Sequence, residues 1–511
     1  MSHKSKLIQY RDAGYPIVFI ESFEEDKADK IISEIALSNR ASVIEWNGAT
    51  GALKWEYVEG AKKEDDRKSM TKKPIGTRKL MLDEMLDILL KDDLNRKIIV
   101  IKDMNECLSD FQTVALLKQI ALKISSGVDC MIIMISPTLT IPRDLEKFIT
   151  VLEQEYVKED KITSIIKKFI KENDIQTVAP KLIEKLSVAL KGLTEMEINN
   201  ILSLAVSKNG DITQESLNFI FEQKQQNIKK SGILKMIPLK ESIDDIGGLE
   251  NLKSWLRRKS KVFNNISEAK KYGVDMPKGL LIAGVPGCGK SLFAKATASL
   301  FNVPLLQLDM GRLMGKYVGE SESNMRKAIR LAEAISPCVL WIDELEKAFA
   351  GIGSQSGNEV TTRLFGTFLT WMQEKESPAF VVATANDITK MPPELLRKGR
   401  FDEIFFVDLP NAEERKKIFE VHIKKRRPKE FKSESIDISK LVNKTEGYSG
   451  ADIEGVVIDG VENAFCDDKD VVTTEYIEKA IKATTSLSEI MKDDLEKMKK
   501  EYTKRNLKKA T

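Results

Sequence analysis

The sequence predicts two doubly wound α/β domains, the second of them closed by a helical segment. Continuous apolar runs such as Met131–Ile135 and Cys338–Ile342 recur in both halves of the chain, and strands buried on both faces of a parallel sheet have this composition. Segments with helical periodicity separate the runs, and such alternation indicates a parallel sheet covered by helices. The length of 511 residues favours about three folding units.

The predicted strands set the domain organisation. Those of the first half are Pro16–Ile20, Ala41–Trp46, Lys97–Ile101 and Met131–Ile135, and those of the second are Leu280–Ala283, Pro304–Asp309, Cys338–Ile342, Phe380–Ala385 and Ile404–Val407. We expect an α/β domain with its own helices over 1–226, a linker over 227–243, an α/β domain over 244–410, a helical lid over 411–485 and a basic C-terminal helix over 486–511. The mixed-charge stretch 62–73 is predicted to be a solvated loop.

Composition excludes several classes of function. Lys and Arg number 81 against 78 Asp and Glu, so no global basic field argues for nucleic acid as a partner. The five cysteines lack metal-ligand spacing and there are only two histidines, which disfavours disulfides, zinc and a Ser-His-Asp apparatus. No apolar run approaches the roughly 18 residues of a membrane span, and no signal peptide precedes the first strand. We therefore expect a cytoplasmic protein without a membrane partner.

A phosphate-binding loop is predicted at Gly284–Ser291, which reads Gly-Val-Pro-Gly-Cys-Gly-Lys-Ser. Glycines let successive backbone N–H groups converge on phosphate oxygens, and the N-terminus of the next helix adds its positive dipole end. Lys290 then reaches the β and γ phosphates, and the Ser291 hydroxyl is placed to ligate Mg²⁺. A chance Gly-rich turn is the alternative, but an apolar strand precedes the loop and a helix-forming stretch follows it.

Two acids and an amide supply the partners that such a loop needs. The strand ending in Asp343 and Glu344 follows the loop by about fifty residues; we expect Asp343 to hold Mg²⁺ and Glu344 to polarise the attacking water. Asn386, at the end of another strand, can hydrogen-bond that water or the γ phosphate. Acids after a strand are common surface features and Asn386 alone could be a turn residue, so the prediction depends on their combination with the loop.

Arg397 and Arg400 lie shortly after Asn386 in the sequence. Guanidinium groups stabilise the charge that spreads over transferring phosphoryl oxygens. As isolated residues the two arginines would be a basic surface patch. After this set of motifs they are predicted to reach the site of a neighbouring subunit.

Together these motifs resemble the AAA subgroup of AAA+ ATPases, over about 244–452. The resemblance implies ATP and Mg²⁺ as ligands, a ring that is usually hexameric, and arginines that act in trans. It also implies nucleotide contacts from an adenine loop, the phosphate loop and the lid, at Ile246, Gly247, Gly284, Pro286, Gly287, Cys288, Gly289, Lys290, Ser291, Leu292, His422, Gly450 and Ala451. His422 could instead be a partly buried ring with no role. Glu346 stands where the family often has Asp, and the lid lacks an arginine near the phosphates.

The loop 314–322 contains Tyr317 and Val318. An aromatic residue beside a glycine is often an anchor that packs inward. In similar AAA unfoldases the matching loop lines the central pore and grips an extended peptide, and the resemblance assigns that role to these two residues.

The first half of the chain repeats the second in outline but lacks its chemistry. The predicted loop after its first strand, Glu21–Asp26, is acidic and has no glycine, so phosphate would be repelled there, and Asp103 has no adjacent acid. A degenerate AAA-like domain ahead of an intact one resembles AAA proteins of algal plastids and cyanobacteria, which makes the plastid stroma an alternative compartment.

The predicted function is therefore that of an ATP-hydrolysing ring that remodels or threads a protein substrate. An ATP-switched assembly scaffold without mechanical work and a nucleic-acid-associated motor are the alternatives. The balanced charge and the lack of a basic aromatic platform disfavour the motor.

Overall fold

The computed structural model of the chain describes residues 3–57, 70–139, 141–152, 156–175, 178–230, 232–239, 241–313, 320–348, 359–397, 399–433, 435–505 and 507–511. The chain divides into two compact units, Met1–Glu155 and Tyr156–Thr511. Each unit contains one sheet of seven described strands. Among the described residues, no helix has both the length and the apolar composition needed to cross a membrane.

The first unit is a largely parallel sheet with helices packed on it. Its strands are β1 (Ile17–Glu21), β2 (Ser42–Asn47), β3 (Gly51–Tyr57), β4 (Met70–Pro74), β5 (Lys97–Lys102), β6 (Cys130–Ser136) and β7 (Ile149–Leu152). Its helices are α1 (His3–Asp12), α2 (Glu25–Asn39), α3 (Leu82–Lys91) and α4 (Phe111–Ser125), with 3₁₀ turns at Cys107–Ser109 and Arg143–Leu145. The strand order is β4-β3-β2-β5-β6-β1-β7, and all pairs from β2 to β7 in that order are parallel. The α/β prediction for this half is confirmed.

The strand β4 corrects one expectation. Residues 70–73 were predicted as solvated loop, but they pair antiparallel with β3; the rest of that stretch, 62–69, lies outside the described residues. Lys72 can lie in a strand because its amino group is paired with Asp29 at 2.6 Å and with Glu45 at 2.7 Å. The positive charge of Lys72, which favoured a solvated loop, is thus neutralised by two carboxylates of the same unit.

The second unit begins with a group of helices, α5 (Glu159–Glu172), α6 (Pro180–Ala189), α7 (Glu195–Asn209) and α8 (Ser216–Lys230). Lys191 donates from Nζ to the Ser336 carbonyl at 3.1 Å, and Gly192 packs so tightly on Ile335 that an added Cβ would lie 2.3 Å from Cγ1 of that residue. These contacts attach the helices to the sheet that follows, whereas the sequence placed residues up to 226 with the first domain. The functional domain boundaries remain a prediction.

The second sheet has the order β14-β13-β9-β12-β11-β10-β8. Its strands are β8 (Leu234–Ile237), β9 (Gly279–Gly284), β10 (Leu305–Leu308), β11 (Cys338–Ile342), β12 (Ala379–Ala385), β13 (Glu403–Val407) and β14 (Lys508–Lys509). The helices around it are α9 (Glu250–Asn264), α10 (Ile266–Tyr272), α11 (Lys290–Phe301), α12 (Met310–Leu313), α13 (Glu320–Ile335), α14 (Leu345–Ala348) and α15 (Glu359–Glu374). β10, β11, β12, β9 and β13 run parallel. β8 is an antiparallel edge strand within the predicted linker.

The helical lid follows the sheet. It consists of α16 (Ala412–Arg426), α17 (Pro428–Lys432), α18 (Ile438–Asn443), α19 (Gly450–Cys466) and α20 (Thr474–Ala483), packed around Phe419, Ile453 and Ile477. After it, α21 (Leu487–Ile490) and α22 (Lys492–Lys504) lead to β14, so the segment predicted as a terminal helix returns to the sheet as a strand.

Candidate functional site

The phosphate loop lies between the end of β9 and the start of α11. Gly284, Gly287 and Gly289 have φ of +145°, +73° and +80°, in the region that favours glycine. At Gly284 an added Cβ would lie 2.0 Å from the Val407 carbonyl oxygen of β13. Gly284 is therefore required both by its backbone conformation and by the close approach of the neighbouring strand.

Lys290 is folded back onto this loop. Its Nζ donates to the carbonyls of Gly284 at 2.9 Å and Val285 at 2.7 Å, and the residue is only 7% exposed. Burial lowers the pKa of Lys290 to about 8, against the opposing effect of nearby acids. The ammonium therefore lies under the loop that is predicted to bind phosphate, with its donors held by carbonyls that a phosphate can replace.

Asp343 and Ser291 meet at the end of β11. The Ser291 Oγ donates to Asp343 Oδ1 at 3.1 Å, and both side chains are half-buried. Hydroxyl and carboxylate oxygens are the ligands that Mg²⁺ prefers, and Mg²⁺ usually keeps several waters and takes few protein ligands. The described residues contain no cluster of three or more His, Cys, Asp or Glu suited to a metal, so a metal here would use the two oxygens together with water and phosphate.

Glu344 follows Asp343 in a left-handed conformation, with φ of +50°. Its side chain is 43% exposed and pairs with Lys347 Nζ at 2.7 Å. Asn386 Nδ2 lies 3.4 Å from its other carboxylate oxygen, and the Asn386 backbone N–H donates to buried Glu346 at 3.0 Å. The structure thus brings together the acid and the amide that the sequence assigned to the attacking water.

Sequence reasoning missed Thr384, which connects the two acids. Its buried hydroxyl donates to Asp343 Oδ1 and accepts the backbone N–H of Glu344 at 3.1 Å. The polar residue sits inside the all-buried strand β12, two positions before Asn386. A threonine in an otherwise apolar run was the signal available.

A cavity of about 260 Å³ lies beside the phosphate loop. Its lining contains most of the predicted nucleotide contacts, namely Ile246, Gly247, Gly287, Cys288, Gly289, Leu292, His422, Gly450 and Ala451. Gly284, Pro286, Lys290 and Ser291 are not among the lining residues. Residues that the sequence did not single out also line it, among them Leu249, Glu414 and Ile418.

The lid closes this cavity directly against the phosphate loop. The Ala451 N–H donates to the Gly287 carbonyl at 2.9 Å, and an added Cβ at Gly287 would lie 2.9 Å from Ser449 Oγ. Ser449 caps α19 by accepting the Asp452 N–H at 3.2 Å. Helix α19 therefore begins at the loop, which explains why the predicted contacts at 450 and 451 lie there.

His422, on α16, lines the same cavity. Its Nδ1 is 3.5 Å from Glu454 and 3.3 Å from Arg426. Burial lowers the pKa of His422, although Glu454 opposes that effect. The ring thus favours its neutral form, in which one nitrogen can donate and the other accept.

The two arginines lie apart from these groups. Arg397 is exposed, whereas Arg400 is half-buried and donates to the Glu394 carbonyl. Tyr317 and Val318 lie outside the described residues.

Five parallel strands of the first unit, in the order β2-β5-β6-β1-β7, match the order β10-β11-β12-β9-β13 of the second, but the residues at the strand ends differ. The strand pairing aligns the two units. Lys97, at the start of β5, pairs with Cys130, and Cys338, at the start of β11, pairs with Ala379. Counted from these starts, Lys102 corresponds to Asp343, and Asp103 to Glu344. Asp103 even shares the left-handed conformation, with φ of +52°.

Lys102 is buried among carboxylates. Its Nζ lies 2.9 Å from Asp29, 3.1 Å from Glu25 and 3.6 Å from Glu45. Burial opposes its charge, but these acids outweigh burial and raise the pKa of Lys102. An ammonium thus stands where the second unit has its predicted metal ligand.

The second unit has the parallel sheet, phosphate loop and lid of an AAA ATPase, and comparison with known families agrees. The family described as ATPase family associated with various cellular activities matches residues 280–409, and the AAA+ lid domain matches 435–479. The SpoVK-like AAA ATPase N-terminal and second domains match 3–154 and 160–231.

The chain belongs to the AAA ATPase family, and membership implies ATP binding and hydrolysis. It is similar to the AAA domain-containing protein ycf46 of Guillardia theta, 36% identical over 490 residues that cover 95% of this chain and 92% of that protein. The ycf46 protein of Pyropia yezoensis is 37% identical, covering 95% of this chain and 94% of its own length. A Cell division cycle protein 48 homolog of Archaeoglobus fulgidus is 30% identical over 60% of this chain and 41% of that protein. The resemblance inferred from the motifs is confirmed.

Proposed function

We propose that the chain is a Mg²⁺-dependent ATPase that assembles into a ring, as a hexamer, and remodels or threads protein substrates. The observation that carries the ATPase part is the convergence of Lys290, Ser291, Asp343 and Glu344 at the carboxyl ends of β9 and β11, two parallel strands on either side of β12. Ligands of open α/β sheets bind at this edge.

Substrate phosphates fit above Lys290, which exchanges its two carbonyl acceptors for phosphate oxygens. Converging N–H groups of the glycine-rich loop and the start of α11 hold the remaining charge. The base fits the cavity between Gly247 and His422, where the lid contacts the loop.

Ser291 and Asp343 would hold the metal, because their oxygens already lie 3.1 Å apart. When bound, Mg²⁺ neutralises charge on the phosphate oxygens. Glu344 accepts a proton from the attacking water, and Asn386 orients that water from the end of β12. Arg397 and Arg400 are proposed to stabilise the transferring phosphoryl group of the adjacent subunit.

Two variants test the ATPase assignment. Lys290→Ala should lose ATP binding, whereas Glu344→Gln should bind ATP and lose hydrolysis, because the lysine contacts the ground state and the acid acts on water. Equilibrium binding and single-turnover hydrolysis separate the two effects. Wild-type turnover by Glu344→Gln would contradict the assignment of the base.

Protein substrates are proposed from the likeness of 314–322 to the pore loops of AAA unfoldases. Tyr317→Ala should keep basal ATPase within a few-fold and abolish stimulation by an unfolded protein. A wild-type protein that assembles with ATP but shows no such stimulation would favour the scaffold alternative. The compartment, cytoplasm or plastid stroma, stays a prediction.

A further inference from the structure

Residues 507–511, here called the terminal segment, add to the edge of the second sheet. Lys508 and Lys509 pair with Phe405 and Phe406 of β13, and the Ala510 N–H continues the pairing with the Phe406 carbonyl at 2.9 Å. Ala510 is 1% exposed, in the core cluster that also contains Leu252 and Phe405. The segment is therefore docked by both its backbone and a buried side chain.

The terminal segment also satisfies the start of α9. The first amides of a helix have no partner within the helix, and Leu249, which precedes α9, makes no side-chain cap and has φ of +58°. The Leu252 N–H donates instead to the Ala510 carbonyl at 3.1 Å, and the Asn251 side chain donates to the Thr511 carbonyl. The beginning of α9 is thus held by the terminal segment.

The stretch just before α9 lines the proposed base cavity, through residues 245–247 and Leu249. Lys253 Nζ donates to the Ile246 carbonyl at 2.6 Å, and the Leu249 N–H donates to Glu414 Oε1 at 2.9 Å. Thr511 Oγ1 donates to the same Glu414 oxygen at 2.9 Å. Glu414, on lid helix α16, is buried and lines the cavity together with Leu249.

Gly248, just before α9, packs closely against Glu414. Gly248 has φ of +79°, and an added Cβ would lie 2.5 Å from the Glu414 carboxylate oxygen. The loop before α9, the lid helix α16 and the terminal segment therefore meet at one buried carboxylate, that of Glu414.

We propose that the terminal segment is a positioning element for nucleotide affinity: through Leu252 and Glu414 it fixes the base-side wall of the site. The proposal rests on the proposed placement of ATP, with its base in the cavity. It makes Thr511 a positioning residue, since its hydroxyl acts on the cavity through Glu414, which lines that cavity.

The test compares affinities for Mg-ADP and for Mg-tripolyphosphate, which lacks the base, in the full chain. Ala510→Asp places a charge at the buried anchor and should weaken Mg-ADP binding about tenfold, with tripolyphosphate affinity and saturated turnover within about twofold. Lys509→Asp places the same side chain at the exposed neighbouring position and should bind both ligands like the wild type.

Two milder substitutions at Thr511 keep the test valid if Ala510→Asp does not fold. Thr511→Val removes the hydroxyl that reaches Glu414 and should weaken Mg-ADP roughly threefold, whereas Thr511→Ser should restore wild-type affinity. Equal loss of both ligands in Ala510→Asp, or unchanged Mg-ADP affinity in both Ala510→Asp and Thr511→Val, would overturn the positioning role. If the wild type itself binds Mg-ADP no better than tripolyphosphate, the proposed base site fails instead.

Discussion

Lys290 keeps its charge at a position where burial disfavours it. Because burial lowers its pKa to about 8, the ammonium loses its proton as the pH rises through that value, well before the usual pKa of lysine. The folded state then holds fewer protons than the unfolded one between about pH 8 and 10.5, so this residue contributes increasing stability to the nucleotide-free protein across that window.

Nucleotide affinity, unlike the stability of the nucleotide-free protein, should fall as the pH rises. Phosphate binds the protonated lysine, and the protonated fraction falls about tenfold between pH 7 and pH 9 for a group with this pKa. We therefore expect Mg-ADP affinity to fall about tenfold over that range, measured by fluorescence titration. The same titration of Lys290→Arg, whose side chain stays charged over this range, is the control, and a flat profile in the wild type would show that Lys290 stays charged.

Thr384 is the second residue whose role the structure isolates. Thr384→Val keeps its shape in buried β12 but leaves the Glu344 N–H and one Asp343 oxygen without the hydroxyl. Loss of a hydrogen bond to a charged group costs about 1.5–3 kcal/mol, so we expect turnover to fall roughly tenfold to a hundredfold with little change in ADP affinity. Thr384→Ser should restore most of the activity; unchanged turnover in the valine variant would contradict this role.

The arginines belong to the scale of elements, because they lie on the connection from β12 to β13 and not in the cavity. Arg397→Ala and Arg400→Ala should each remove most turnover, by on the order of 10³-fold, while nucleotide affinity stays close to that of the wild type. Mixed assemblies test whether they act in trans. Lys290→Ala chains should partly restore activity to Arg400→Ala chains, and failure at every mixing ratio would count against shared sites.

Elements that are buried throughout were the most predictable from sequence. Cys338–Ile342 was predicted with the bounds that β11 has, because a strand covered on both faces must be apolar at each position. β3, β4, β7, β8 and β14 were missed. Four of them, β4, β7, β8 and β14, are the edge strands of the two sheets, and an edge strand needs only one buried face, so lysines can occupy the other. β14 in particular consists of two exposed lysines and depends on backbone pairing and on Ala510.

The site shows the same division. The phosphate loop, the acid pair and Asn386 were predictable because each stands at the end of an apolar run. The buried hydrogen bonds of Thr384 and Glu414 could not be predicted, because they join residues that are far apart in the chain and share no local sequence pattern.

At the scale of the whole molecule, the same order of five parallel strands occurs in both sheets, and Lys102 distinguishes the two copies. Lys102→Met would remove the buried cation of this cluster and leave the 34% exposed Lys72 to neutralise Asp29 and Glu45, so we expect a cost of up to about 3–5 kcal/mol, the range for a broken buried pair. Hydrogen exchange of β2 and β5 amides in the full chain should report that loss. Lys91→Met is the matched control, because Lys91 and its partner Asp87 are 73% and 43% exposed and surface pairs contribute little. Equal exchange in the two variants would contradict a structural role for the cluster.

The first unit is also expected to bind no nucleotide. Because Lys290→Ala is expected to lose ATP binding at the second site, the full-length variant should leave only the first unit able to bind. Calorimetric titration of that variant with Mg-ATP should show no site, and a micromolar site would overturn the interpretation of this unit as chemically silent.

The left-handed turn at Asp103 bears on how the two halves could have diverged. Asp103 and Glu344 share this backbone conformation, although Asp103 has no phosphate loop beside it. The conformation therefore does not depend on a site for hydrolysis. Building an ATP site into the first unit would require more than adding one acid: residues 22–24 separate β1 from α2 where 285–289 separate β9 from α11, and Lys102 stands at the position of the predicted metal ligand Asp343. No single substitution therefore supplies the first unit with both the longer loop and the carboxylate that the second unit has.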